Sequence, residues 1–283
     1  MKILTLNTHS LIEPEYEEKL RGFVETVLQE KPDIIGLQEV NQTASAPVWN
    51  QGHMEQYVAC MEGVEIREDN HAAHVAAMLA EGGQGYYWTW LPIKLGYDRY
   101  DEGLALFSKA PILETRQFFI SRGQDYKNWK TRKILGIRTE AGWFYTVHMG
   151  WWDDEEEPFA QQWERVMDGL GTSSESVWLM GDFNSPADVR GQGYDCVAAS
   201  GWKDTYLLAQ TRDSGVTVEK AIDGWREKED WKDRGDGEQD ICGMRIDCIW
   251  SLQDETVVSS AVIFNGRRGP VVSDHYGVMI ETG

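Results

Sequence analysis

The run Gly181-Asp182-Phe183-Asn184 places a carboxylate and an amide two residues apart, directly after the apolar stretch Val177-Trp178-Leu179-Met180. A glycine at the end of a strand lets the chain turn, so the residues after it leave the sheet edge. Asp182 could hold a cation or a water molecule, and Asn184 could donate to an anionic oxygen. α/β enzymes place their chemistry at such strand ends. The alternative is an ordinary turn in which both side chains bond to nearby backbone.

Similar polar residues accompany other short apolar segments along the whole chain. Asn7 follows Ile3-Leu4-Thr5-Leu6, and Gln38-Glu39 follow Ile34-Ile35-Gly36-Leu37. Because apolar runs of this length are typical of buried strands, the recurrence favours one shared site over a series of unrelated turns. The other members of the set are Glu102, His148, Arg245-Ile246-Asp247 and Ser273-Asp274-His275.

In this order, the motifs resemble the signature of the endonuclease/exonuclease/phosphatase superfamily over essentially the full chain. Gly-Asp-Phe-Asn, Arg-Ile-Asp and Ser-Asp-His, in that order, mark the second half of that signature. The resemblance implies a DNase I-like α/β fold, a four-layer α/β/β/α sandwich with two packed mixed β-sheets. It also implies hydrolysis of a phosphate ester with the help of a divalent cation.

Three N-terminal segments, residues 4–10, 37–42 and 101–106, further resemble the intracellular maltose 6'-phosphate phosphatases of Gram-positive bacteria. This resemblance implies that phosphate is released from a small phosphorylated sugar, maltose 6'-phosphate in the first place. Water would attack directly, without a covalent enzyme intermediate. The alternatives are a phosphodiesterase of the same superfamily, either a nuclease or a sphingomyelinase-like lipid hydrolase, and a binding module without catalysis.

The resemblance implies a metal site and a phosphate contact. Glu39 is the expected main metal ligand, with Asn7 helping directly or through water and Asp274 completing the set. Carboxylate and amide oxygens suit Mg²⁺, or Mn²⁺ in its place, better than zinc. Asn184 is expected to donate a hydrogen bond to a non-bridging phosphate oxygen.

The resemblance also implies two acid–imidazole pairs. Asp182 would orient or deprotonate the attacking water, and His275 is the competing base or a cation that stabilises the phosphate. Asp247 is expected to bond to His275 and to favour its charged form. Glu102 and His148 are expected to form a second pair beside the site.

Substrate contacts are expected from His9 and from Trp151-Trp152. His9 differs from the aromatic or hydroxyl residue that often follows the first Asn in the superfamily, so it contacts either the substrate or a neighbouring loop. The two indoles, together with those of Trp88 and Trp90, could stack on sugar rings. Packing in the core is the alternative for these tryptophans, as it is for most of the 13 in the chain.

Composition argues against nucleic acid as the partner. Of the 283 residues, 27 are Lys or Arg and 47 are Asp or Glu, which gives a net charge of −20. A protein this acidic repels a polyphosphate chain, although a local basic groove could still bind one.

The sequence predicts a cytoplasmic enzyme without a membrane partner. It opens directly into a strand at Lys2-Ile3-Leu4, with no leader-like segment and no apolar run long enough to cross a bilayer. Its four cysteines lack metal-finger spacing, so we expect neither a disulfide nor a zinc site.

Apolar spacing predicts helices over residues 14–28, 70–80 and 160–170. The motifs are spread from end to end and must converge on one site, which predicts a single domain over 1–283. Two stretches, residues 43–100 and 208–243, are rich in Trp, His or charged residues and are predicted to be long insertions over the site.

Overall fold

The computed structural model describes residues 1–49, 54–219 and 243–283. Within these ranges the chain forms two β-sheets that pack face to face, with helices on their outer faces. The strands are β1 (Lys2–Asn7), β2 (Ile34–Thr43), β3 (Tyr87–Gly96), β4 (Tyr100–Ser108), β5 (Glu114–Phe119), β6 (Lys133–Thr139), β7 (Gly142–His148), β8 (Val177–Asp182), β9 (Lys203–Asp204), β10 (Thr211–Arg212), β11 (Asp247–Ser251), β12 (Val257–Ile263) and β13 (Gly277–Thr282). The helices are α1 (Tyr16–Glu30), α2 (His71–Glu81), α3 (Phe159–Leu170), α4 (Gly193–Ala199) and α5 (Thr205–Leu208).

Both sheets are mixed. The larger has the strand order β10-β12-β13-β1-β2-β4-β3 and the smaller has the order β5-β6-β7-β8-β11-β9. Near the centre of each sheet one pair is parallel, β1 with β2 and β7 with β8. Asn7, His148 and Asp182 are the last residues of β1, β7 and β8, and Glu39 directly follows the last residue of β2 that pairs with β1.

Three apolar layers hold the sandwich together. Leu106, Trp178 and Ile249 belong to the cluster between the two sheets. Phe23 belongs to the layer that joins α1 and α2 to the larger sheet, and Trp163 belongs to the layer that joins α3 and α4 to the smaller one. Burying one face of each helix and both faces of each sheet in this way removes apolar surface from water. The predicted four-layer fold is therefore confirmed.

The predicted helices form close to the expected positions. Leu20, Phe23, Val24 and Val27 form the buried stripe of α1, as their helical spacing predicts. At the start of α2 the side-chain oxygen of Asn70 accepts a hydrogen bond of 3.0 Å from the Ala73 amide. This is the N-terminal cap that the position of Asn70 before an apolar run favours.

Part of the predicted insertion over residues 43–100 belongs to the scaffold. It contains α2 and also β3, which pairs with β4 along the edge of the larger sheet. Trp88 and Trp90 lie in β3 and are almost fully buried. These two indoles pack in the core and do not face a ligand, which corrects the stacking hypothesis for them.

The second predicted insertion, residues 208–243, is described only in part. Residues 211–212 form β10 beside β12, and residues 220–242 lie outside the described residues, as do residues 50–53. None of the described helices has the length and apolar character needed to cross a membrane.

Candidate active site

The predicted polar residues converge because the strand register places them in rows. In the smaller sheet Asp182 of β8 lies opposite His148 of β7 on one side and Asp247 of β11 on the other. In the larger sheet Asn7 of β1 lies opposite Gln38 of β2. Because the two sheets pack face to face, these rows meet at one edge of the sandwich.

Local backbone distortions occur at four residues that line this edge, one of which is Tyr97 with a φ of 52°. His9, Glu39 and Asn184 have φ angles of 46°, 51° and 46°, the left-handed region that costs a non-glycine residue ~1 kcal/mol or more. Glu39 lies where the β2–β4 pairing shifts register between Leu37 and Val40. This irregularity interrupts the pairing of β2 at Glu39, whose carboxylate lines the cavity described next.

A cavity of about 350 Å³ opens at the meeting point of the two sheets. Three of the predicted site residues, Asn7, Asp247 and Trp152, do not line the cavity. Asn7 and Asp247 are buried beside it, where Asn7 contacts Asp182 and Asp247 contacts His275. The lining residues are His9, Glu39, Lys94, Gly96, Tyr97, Glu102, Trp129, Arg132, His148, Trp151, Asp182, Asn184, Asp274 and His275.

Asn7 links the two sheets at the base of the site. Its Nδ2 donates to Oε1 of Glu39 at 2.9 Å and to Oδ2 of Asp182 at 3.1 Å. Its Oδ1 accepts a hydrogen bond of 3.2 Å from the backbone amide of His9. The amide group thus bridges two carboxylates, an arrangement that sequence reasoning did not predict.

His275 and Asp247 form the predicted pair. Nδ1 of His275 lies 3.0 Å from Oδ2 of Asp247, and its Nε2 lies 3.9 Å from Oδ2 of Asp182. Burial opposes the charged imidazole, but the carboxylates of Asp247 and Asp182 outweigh it and raise the pKa of His275 well above its ordinary value. The imidazole is therefore a cation at neutral pH. Burial in turn raises the pKa of Asp182, and the nearby charge of Asp247 adds to this increase.

The predicted pair of Glu102 and His148 does not form. Glu102 Oε1 lies 3.0 Å from Nζ of Lys94, the residue opposite it on β3. The imidazole of His148 lies instead 3.8 Å from Glu39 and 3.6 Å from Asp182. Burial lowers the pKa of His148 well below its ordinary value, and the positive charges of Arg132 and Lys94 lower it further. His148 is therefore a neutral imidazole between two carboxylates.

Asn184 is held by protein contacts on both sides of its amide. Its Nδ2 donates to the carbonyl of Met149 at 2.9 Å, and its Oδ1 accepts from Nε1 of Trp151 at 3.1 Å. An amide carries two N–H groups, so the second remains for the expected contact with a phosphate oxygen. Trp151 is therefore fixed directly to a residue of the site.

His9 contacts a neighbouring loop residue that the sequence did not single out. Its Nδ1 lies 2.7 Å from Oε1 of Glu13, which also forms an ion pair with Lys19, and 4.0 Å from Asp274. Burial alone would lower the pKa of His9, but the bond to Glu13 and the charges of Glu39 and Asp274 raise it to about 9. Glu13 lies four residues after His9 with no motif around it, so no sequence signal marked it.

The donor set fits a hard divalent cation. Burial raises the pKa of Glu39, and the nearby negative charge of Glu102 raises it further. Asp274 adds a third negative charge to the cavity lining near Glu39 and Glu102. A cation bound there would relieve the repulsion among these three carboxylates. Among the described residues, two groups bring three possible ligand atoms close together: His9 with Glu13 and Asp274, and Asp182 with Asp247 and His275. Glu39 belongs to neither group and lines the same cavity as Asp182, Asp274 and His275.

Trp151 and Trp152 have different environments. Trp151 lines the cavity and forms an aromatic corner with Trp129, the ring centres lying 5.6 Å apart with the planes at 56°. Trp152 is partly buried and packs against Phe159 of α3, at the margin of the core beneath the smaller sheet. Trp152 does not line the cavity, so of the two tryptophans only Trp151 enters the proposal below.

Sequence reasoning missed Lys94, Tyr97, Trp129 and Arg132. Lys94 and Tyr97 lie at the end of β3 and just beyond it, within the stretch taken as an insertion. Trp129 and Arg132 come from the loop before β6. None of them belongs to a motif; the one available signal was a lysine within an otherwise apolar strand.

Comparison with known proteins identifies the family of this chain and structures that share its fold. A family model described as "Endonuclease/Exonuclease/phosphatase family" matches residues 4–275. The chain is similar in structure to an endonuclease/exonuclease/phosphatase family protein from Leptotrichia buccalis C-1013-b, with a TM-score of 0.83, 28% identity and coverage of 100% of this chain and 99% of that one. Among curated proteins, none matches the chain.

Two further solved structures share the fold at lower identity. One is a mannosyl-6-phosphatase from Bacteroides thetaiotaomicron VPI-5482, with a TM-score of 0.63, 16% identity and coverage of 100% of this chain and 99% of that one. The other is a 3' phosphatase from Neisseria bound to a product DNA hairpin, with a TM-score of 0.60, 18% identity and coverage of 100% and 99%. At these identities the similarity establishes the fold alone.

Proposed function

This chain belongs to the endonuclease/exonuclease/phosphatase family of hydrolases, and we propose that it is a metal-dependent phosphomonoesterase that acts on a small phosphorylated sugar. Maltose 6'-phosphate is the substrate we place first. The observation that carries the proposal is the cavity, which Glu39, Asp182 and His275 line together with the aromatic corner of Trp129 and Trp151.

Asp182 is the proposed base. Its raised pKa suits it to accept a proton from water near neutral pH, and Asn7 orients its Oδ2 through the hydrogen bond of 3.1 Å. His275 is already protonated and is therefore better placed to stabilise charge than to remove a proton. We therefore propose that the charged imidazole of His275, whose Nε2 faces Asp182, binds the phosphate oxygens and stabilises their negative charge.

Metal binding is assigned to Glu39 and Asp274, with Asn7 nearby to position Glu39. A bound Mg²⁺ or Mn²⁺ would neutralise phosphate charge at the wall where these carboxylates lie. Asn184 would use its second N–H for a phosphate oxygen, while its bond to Trp151 keeps the amide in place. Water would attack phosphorus directly, since no side chain of the cavity is a serine, cysteine or threonine nucleophile among the described residues.

The aromatic corner supports a sugar as the group that carries the phosphate. Trp129 has half of its surface exposed and stands beside Trp151 at the cavity, with Tyr97 near them. Indole faces stack on the apolar C–H faces of sugar rings, and acids such as Glu102 can accept bonds from hydroxyl groups. A charged sugar phosphate does not cross membranes readily, and on this ground we propose that the enzyme acts in the cytoplasm.

Aromatic faces also stack on nucleobases, and this observation favours a second candidate, a phosphatase or diesterase acting on nucleic acid. Such a substrate extends beyond the cavity and needs cations along its backbone. The net charge of −20 argues against that, so we place this candidate second.

The proposal is tested by measuring phosphate release with Mg²⁺ from maltose 6'-phosphate, glucose 6-phosphate and trehalose 6-phosphate. Bis(p-nitrophenyl) phosphate serves as the diester, and EDTA followed by excess Mg²⁺ serves as the metal control. We expect EDTA-sensitive release from the monoesters, strongest with a disaccharide. Cleavage of the diester with little monoesterase activity would overturn the proposal.

A further inference from the structure

Two buried cations stand side by side in the cavity wall. Lys94 of β3 and Arg132, from the loop before β6, are 5% and 6% exposed, and both line the cavity. Nζ of Lys94 donates to the carbonyl oxygen of Trp129 at 3.0 Å, and Nη1 of Arg132 donates to the same oxygen at 2.7 Å. The two positive groups therefore meet at one acceptor.

The two cations are not equally neutralised. Lys94 has Glu102 at 3.0 Å as its ion-pair partner. The guanidinium of Arg132 donates to the backbone carbonyls of Trp129 and Thr131, and no carboxylate of the described residues lies within ion-pair distance of it. The nearby acids, Glu102 first among them, favour its charge from farther away. The Nε–H of Arg132 is buried without a hydrogen-bond partner among the described residues. A buried cation in this state is costly unless an anion joins it.

Anchoring the Trp129 loop does not account for both cations. The loop is already tied to β3 by the amide of Leu95, which donates to the carbonyl of Tyr126 at 2.7 Å. Within the loop, Oγ1 of Thr131 donates to the carbonyl of Asp125 at 2.6 Å. The positive charge of Arg132 repels that of Lys94, and the loop does not need Arg132 to stay attached to β3.

We propose that Lys94 and Arg132 form a cationic wall that selects a phosphate monoester, which carries two negative charges, over a diester, which carries one. This inference rests on the proposed function and names the residues that determine its substrate class. The wall lines the same cavity as the catalytic groups Asp182 and His275. The guanidinium can donate paired hydrogen bonds to phosphate oxygens, and the ammonium adds a point charge.

The test compares Arg132→Gln and Lys94→Gln with wild type in kcat/KM for p-nitrophenyl phosphate and for bis(p-nitrophenyl) phosphate. Gln keeps a donor for the Trp129 carbonyl but removes the charge. We expect a loss of about 10- to 100-fold with the monoester, as for one charge-assisted hydrogen bond, and a loss below about threefold with the diester. Equal losses with both esters would overturn the inference.

Lys130→Gln is the matched control. Lys130 is the adjacent cation, which is partly buried, pairs with Asp154 and Glu156 and does not line the cavity. Its Nζ lies 5.4 Å from the ring centre of Trp129, which neither p-nitrophenyl ester is expected to need. Its replacement should leave the monoester-to-diester ratio unchanged. Arg132→Lys keeps the charge and should retain most of the ratio, whereas a purely structural Arg132 would lose activity toward both esters in both variants.

Measuring the affinity for inorganic phosphate tests the cationic wall independently of the proposed enzymatic activity. Calorimetry with Mg²⁺ present needs no turnover, so it applies even if wild type hydrolyses neither ester. We expect Arg132→Gln to weaken phosphate binding by about tenfold or more at pH 8, where phosphate is a dianion, with the melting temperature as a check on folding. Unchanged phosphate affinity in a folded Arg132→Gln protein would overturn the cationic wall whatever the enzyme acts on.

Discussion

Oδ2 of Asp247 lies 3.0 Å from Nδ1 of His275, and both side chains are almost fully buried. This contact leaves Nε2 of His275 directed toward Asp182, 3.9 Å away. Because β8 and β11 place Asp182 opposite Asp247, one strand pair positions both acids around one imidazole. The roles proposed for Asp182 and His275 depend on this arrangement.

Asp247→Asn should leave the fold intact but remove the charge that keeps His275 protonated. The Asn amide can present its N–H to Nδ1 and so orient the imidazole wrongly. We expect kcat to fall by about 100-fold or more, with a smaller change in KM, as for the loss of one preorganised electrostatic contact. The pH profile of kcat should also change. An unchanged profile in a folded variant would mean that Asp247 does not act through His275.

Asp182→Asn should abolish most of the activity, because an amide cannot accept a proton from water at neutral pH. We expect a loss of about 1,000-fold or more in kcat from removing the base. Asp188→Asn is a suitable control, since Asp188 lies on the loop after β8 and does not line the cavity. If Asp182→Asn reduced kcat by less than tenfold, another group would have to be the base.

Trp129→Ala should raise KM for a disaccharide phosphate and leave KM for p-nitrophenyl phosphate little changed. The exposed indole is the part of the aromatic corner that a second ring would reach, and stacking on it is worth ~1 kcal/mol, about fivefold in KM. Trp152→Ala is the matched control. Because Trp152 packs on Phe159, its loss should lower the melting temperature without this substrate-specific effect. Equal KM values for wild type and Trp129→Ala would exclude stacking on Trp129.

His71 should make the protein less stable in weak acid. Burial in α2 lowers the pKa of His71 to about 3, and its Nδ1 lies 3.0 Å from the hydroxyl of Tyr16. The unfolded imidazole takes up a proton below pH ~6.5, whereas the folded one does not until about 3, so this stabilisation is full above ~6.5 and falls as the pH drops.

The expected loss from this residue is ~2 kcal/mol between pH 7.5 and pH 5. Urea unfolding at both pH values measures it, and His71→Gln, which retains an acceptor for Tyr16, is the comparison. The free energy of unfolding of the variant should depend less on pH by about that amount. An identical pH dependence in both proteins would show that His71 is accessible to protons in the folded state.

Much of the fold was predictable because its signals are local. Apolar periodicity located α1, α2 and α3, and short apolar runs marked the central strands. The edge strand β3 was missed because its tryptophans and Lys94 resembled the composition of a binding loop. Whether an indole faces a ligand or the core depends on packing between distant segments, as the different environments of Trp151 and Trp152 show.

The residues at the site were predictable where they belong to motifs, and their partners were often not. The pairing of Asp247 with His275 followed from the expected roles, but Glu102 bonds to Lys94 because β3 lies next to β4. Glu13 and Arg132 reach the site from a turn and a loop without any motif. Such contacts depend on tertiary register, which short sequence patterns do not encode.

The most direct test of the central claim is the ratio of kcat/KM for maltose 6'-phosphate to kcat/KM for a 3'-phosphorylated oligonucleotide, measured with Mg²⁺ on the same preparation. Both substrates are monoesters, so the ratio isolates the group that carries the phosphate. The sugar phosphatase account predicts a strong preference for maltose 6'-phosphate that Trp129→Ala reduces. A preference for the oligonucleotide would contradict the account and assign the aromatic corner to a nucleobase.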